Sequence, residues 1–66
     1  MNPLYPNVTV RLVGEDGNAY SILGRVQGAL RRANAPKEKM EEFIKEATSG
    51  DYDNLLATCM KWVDCQ

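Results

Sequence analysis

Histidine is absent from the 66-residue chain, which removes the side chain that most often serves as a general base or a metal ligand near neutral pH. The cysteines are two, Cys59 and Cys65, six positions apart near the C-terminus. That spacing fits neither a redox Cys-x-x-Cys nor a zinc pair, and Cys59 falls on an apolar helical face as a small buried hydrophobe. No stretch approaches the roughly 18 apolar residues of a membrane span. The opening Met1-Asn2-Pro3-Leu4-Tyr5-Pro6 is no signal peptide, so the expected setting is a reduced cytoplasm. No nucleophile has an evident base, and Gly14-x-x-Gly17 is too little for a phosphate loop. The expectation is a protein without catalytic residues, cofactor or metal.

What is present is ordinary globular material. Hydrophobic residues make up 44% and charged residues 26%, which argues against disorder. A chain this short hides only about 60% of the surface it exposes when unfolded. One small domain over 1–66 is therefore expected to need completion, most simply by a second copy. The net charge of −1 conceals an asymmetry. Residues 1–36 carry Arg11, Arg25, Arg31 and Arg32 against two carboxylates, whereas residues 37–66 carry four lysines against seven. The planar guanidinium suits bidentate anion recognition better than the ammonium, so an anion site belongs to the first half.

After a lead-in over 1–6, residues 7–13 alternate, with Val8, Val10 and Leu12 on one face and Asn7, Thr9 and Arg11 on the other. Period two with β-branched residues predicts a strand, and residues 14–18 a turn. From Ala19 the apolar spacing becomes helical through Ile22, Leu23, Val26, Ala29, Leu30 and Ala33, with Asn18 as N-cap. A rival reading makes Asp16-Gly17 a hairpin turn leading into a short strand at 19–23. Pro36 opens a second helix with Met40, Phe43, Ile44 and Ala47 inward and an outer Glu41–Lys45 pair. Gly50 is its expected left-handed stop. Asp51 caps a third helix whose apolar repeat is Tyr52, Leu55, Leu56, Cys59, Met60 and Val63, widened by Trp62. The predicted fold is α+β, a β-α-α-α order. Its one strand lacks a partner, so pairing between subunits of a dimer or tetramer follows.

The first helix carries the unusual feature. Gly24 and Gly28 sit inside it, each weakening it by about 1 kcal/mol relative to alanine, and their stripe runs beside Arg25, Arg31 and Arg32. One reading is a helix–helix contact in which glycines allow close approach. The other is a groove where guanidinium forks receive an anionic ligand. Tyr20, four residues before Gly24, is placed to cover a planar ring, and the amides beyond Asn18 offer a second place for phosphate.

Three further readings concern identity. The row Asn7, Thr9, Arg11 resembles ribbon-helix-helix repressors in element order over residues 7–48, but the acidic net charge opposes DNA binding, which is dominated by phosphate contacts. A protein-interaction module whose partner covers the glycine stripe is another alternative. The stretches Asn7-Val8-Thr9-Val10-Arg11-Leu12, Gly17-Asn18-Ala19-Tyr20-Ser21-Ile22-Leu23-Gly24, Ala29-Leu30-Arg31-Arg32-Ala33 and Glu46-Ala47-Thr48-Ser49-Gly50-Asp51-Tyr52-Asp53 resemble a family of short phage and bacterial proteins. In size and expected assembly the chain also looks like the phage anti-defence sponges that sequester cyclic dinucleotides and related immune signals. That resemblance implies a non-catalytic homo-oligomer in the host cytoplasm with nucleotide pockets at subunit interfaces. Residue chemistry then gives the phosphates to Arg25, Arg31 and Arg32, a base edge or phosphate to Asn18, and a base face to Tyr20.

Overall fold

A computed structural model describes residues 3–12, 14 and 17–66. The expected strand end at Val13, the turn residues Glu15 and Asp16, and Met1 and Asn2 of the lead-in lie outside the described residues. The element order is β1 (Tyr5–Val10), α1 (Ala19–Arg32), α2 (Lys37–Ala47), α3 (Tyr52–Trp62) and β2 (Val63–Cys65).

The alternation predicted for the first strand holds in its inward row. Val10 is buried with Val8 and Leu12 packed against the core, while Asn7, Thr9 and Arg11 are exposed. Two expectations are corrected here. The strand begins at Tyr5, taking in part of the lead-in, and it is not alone. Residues 63–65, expected to finish or follow the last helix, leave helical geometry at Val63 and form β2. This short strand runs parallel to β1, pairing Tyr5 with Val63, Thr9 with Asp64 and Val10 with Cys65. The register skips between Tyr5 and Thr9, where Pro6 has no N–H to offer a ladder. The expected pairing between subunits follows from a strand without a partner. The chain supplies that partner itself, on one edge of β1.

α1 begins at Ala19, which removes the hairpin alternative. The Asn18 side chain accepts from the Tyr20 N–H at 2.8 Å, as expected of an N-cap. The helix ends on a Schellman pattern: Ala35 N–H donates to the Leu30 carbonyl and Asn34 N–H to the Arg31 carbonyl, each at 3.0 Å. Asn34 occupies the left-handed position at φ 63°, which asparagine tolerates better than most side chains. The left-handed stop expected at Gly50, beyond α2, does not form: among glycines the described positive φ belongs to Gly14. Gly50 serves a different need, since a Cβ on it would come within 2.9 Å of the Asn54 Cβ. Asn54 is held in that place by donating to the Glu46 carbonyl at 3.0 Å, closing the end of α2.

The core gathers on Trp62, which is 1% exposed. Phe43 meets its ring edge-on at 5.6 Å, Tyr5 stacks on it at 6.1 Å, and its indole N–H donates to Glu46 Oε1 at 3.1 Å. Burying so large a ring turns α3 about its axis. Thr58 moves inside with Leu55 and Cys59, and Met60, expected on the apolar stripe, is 64% exposed. Val26, Leu30, Phe43, Cys59 and Val63 complete the dry centre. Among the described residues no helix is long and apolar enough to cross a membrane.

Candidate functional site

α1 buries Ile22, Val26, Ala29 and Leu30, so the opposite side of the helix faces outward. Gly24 and Gly28 lie on that outward side. A Cβ at Gly24 would meet nothing within 4 Å, and one at Gly28 would meet only the Arg32 guanidinium at 3.7 Å. Among the described residues no other helix packs on the stripe, so a close contact between helices of one chain does not account for the glycines.

The arginines divide around this stripe. At about 100° per residue, Tyr20 and Arg31 fall on one flank of Gly24 and Gly28, and Arg25 and Arg32 on the other. The three guanidinium groups expected to act together with Tyr20 are thus divided, Arg31 standing apart from Arg25 and Arg32. Arg25 is half-buried, and its Nη1 is closed off from solvent without a hydrogen-bond partner, a costly arrangement for a charged donor. Arg31 and Arg32 are exposed. Among the described residues the ion pairs are Lys39–Glu42 at 3.4 Å and Lys61–Glu46 at 2.8 Å, so no arginine is neutralised by a carboxylate. Asn18 is engaged in capping α1.

The flank that carries Arg31 borders a groove between α1 and α2 of about 530 Å³. Its floor is Met40 and Ile44; Lys37 and Lys45 stand on the α2 side, and Gln27 and Glu41 complete it. The Glu41–Lys45 pair expected from i,i+4 spacing is not formed, since neither residue is in an ion pair, and Lys45 remains available to the groove. Three cations, Arg31 of the basic first half of the chain and Lys37 and Lys45 of the acidic second, thus face one carboxylate over an apolar floor. The volume is within the range of small-molecule sites. Sequence reasoning missed Lys37, Lys45, Met40 and Ile44, because their relation to Arg31 depends on how α2 folds back along α1.

Elsewhere the titratable groups serve the fold. Glu46 accepts from Lys61 Nζ and from the Trp62 indole, and these bonds hold its carboxyl below the usual value of 4.5. Burial pushes the Cys59 thiol up to about 11 and raises that of Cys65 in the same direction. Both are therefore poor nucleophiles near neutral pH. No family model matches this chain, nor does any curated protein or solved structure.

Proposed function

We propose that the protein binds a small anionic nucleotide on the outward side of α1 and holds it without turnover. The observation that carries this reading is that Arg25, Arg31 and Arg32 stand on one helix with no carboxylate partner among the described residues, and that Arg31 borders a groove of about 530 Å³ with an apolar floor. Unpaired guanidinium groups favour phosphate or carboxylate ligands, and an apolar floor favours a ligand with a ring rather than a bare ion. In keeping with the resemblance to phage anti-defence sponges, the proposed role is sequestration of a nucleotide signal of bacterial immunity in the cytoplasm. The proposed working form is a homodimer or homotetramer. A second copy would bring its own cations to the ligand, which then lies at a subunit interface.

The ribbon-helix-helix alternative is less well supported. β2 occupies an edge of β1, and the Thr9 hydroxyl donates to Asp64 Oδ2 at 3.4 Å. A carboxylate therefore stands beside the residues that would enter a DNA groove, where phosphates repel it.

The test is a melting-temperature screen against cyclic dinucleotides, linear nucleotides and ADP-ribose derivatives, with Arg31→Glu/Arg32→Glu as control. A ligand-dependent rise that the double variant loses is expected. The absence of a shift with every compound would refute the reading.

A further inference from the structure

The groove beside Arg31 has a counterpart at the other end of the same flank of α1. A second depression, of about 260 Å³, lies where the start of α1 meets the end of α2 and the start of α3, and Tyr20, Leu23, Ala47, Tyr52 and Leu55 line it. On α1 the two depressions are lined by Tyr20 and Leu23 at one end and by Gln27 and Arg31 at the other. Those residues are spaced by three, four and four, which is a single stripe of a helix. On α2 the order reverses, with Lys37, Met40 and Ile44 beside Arg31 and Ala47 beside Tyr20. The depressions are the two ends of one seam, about 16 Å long from Tyr20 to Arg31 at the helical rise per residue.

The chemistry of this seam has a direction. At one end stand two tyrosines, Tyr20 at 84% and Tyr52 at 45% exposure, over apolar Leu23 and Leu55. Tyr52 is fixed at its tip, since its hydroxyl donates to the Gly17 carbonyl. At the other end Arg31, Lys37 and Lys45 face Glu41, and among the described residues none of the three cations is in an ion pair. Resting on the nucleotide reading above, we infer that the seam takes a linear nucleotide, its base against Tyr20 and Tyr52 and a terminal phosphate among Arg31, Lys37 and Lys45. Aromatic side chains accept any base face, and the cluster of unpaired cations is complementary to a multiply charged phosphate. A cyclic dinucleotide places its phosphates between two bases and has no charged end, so it matches this direction less well.

Calorimetric titration of the intact protein with ATP, adenosine, inorganic tripolyphosphate and cyclic di-adenosine monophosphate separates the possibilities. ATP is expected to bind at least about tenfold more tightly than each of the other three. Lys45→Glu and Tyr20→Ala, both on exposed side chains, are expected to weaken ATP about tenfold each while leaving the melting temperature of the unliganded protein nearly unchanged. Tripolyphosphate binding as tightly as ATP, or ATP binding indifferent to Lys45→Glu, would overturn the assignment. If the cyclic dinucleotide binds more tightly and depends on Arg25 and Arg32 instead, the nucleotide reading stands and the seam is wrong. If none of the nucleotides in this titration or in the wider screen binds, both fall together.

Discussion

Replacing both Gly24 and Gly28 with alanine should make this protein more stable, even though both lie beside the proposed ligand site. Both positions are in the interior of α1 and on its outward side. Alanine there loses less backbone entropy on folding than glycine, by about 0.8–1.0 kcal/mol per site. The new methyl groups meet no obstruction, since a Cβ at Gly24 has nothing within 4 Å and one at Gly28 has only the end of the flexible Arg32 side chain at 3.7 Å. The pair should therefore contribute about 2 kcal/mol, which for a domain of this size raises the melting temperature by about 8–16 °C. Circular-dichroism melts of the wild type and the double variant at two protein concentrations, about a hundredfold apart, measure this. A lowered melting temperature that recovers at high concentration would mean that another copy approaches the helix where a methyl group does not fit. The reasoning from a solvated helix face would then be refuted, and an intermolecular helix contact would take its place.

Gly50→Ala should act in the opposite sense. Its Cβ would fall within 2.9 Å of the Asn54 Cβ, and Asn54 is tied to the end of α2, so a loss of about 1–3 kcal/mol in denaturant unfolding is expected. Glu46→Gln should remove about 1 kcal/mol near neutral pH, toward the low end because a third of the carboxylate side chain is exposed and screened. The Glu46 carboxyl is held below 4.5 by Lys61 and Trp62. Its contribution is therefore fully present above that value and lost as pH falls through the folded-state value, so the wild type and the variant should converge in acid-titration melts. Deleting residues 63–66 removes buried Val63 and the strand beside β1, and should abolish cooperative thermal unfolding of the monomer. Retention of a full melting transition would show that β1 finds its partner elsewhere. In a timed thiol-labelling assay Cys65 should react before Cys59, which is fully buried with its thiol pushed up to about 11.

Each part of the fold was readable in the sequence to the extent that its cause is local. The three helices follow from apolar spacing and from Asn18 and Asp51, whose side chains accept from Tyr20 N–H and Asn54 N–H as N-caps should. The inward row of β1 follows from alternation alone. For the site, the exposed position of Tyr20 and the unpaired state of the α1 arginines were foreshadowed by their spacing and by the distribution of carboxylates. Lys37 and Lys45 were not, because they read as part of the solvated face of α2.

The amino-acid order by itself thus determined the helices, their caps and the inward face of the first strand, since each depends on residues within a few positions of one another. The tertiary structure decided three things. It made a strand of Val63-Asp64-Cys65, a segment whose sequence continues the helical stripe, because pairing with a strand more than fifty residues away satisfies backbone groups that a longer α3 would leave open on β1. It made Trp62 the centre of the core rather than its margin, turning Thr58 inward and Met60 out. It also joined Arg31 of α1 to two lysines of α2. That last arrangement depends on packing between helices, which no periodicity within a single helix encodes.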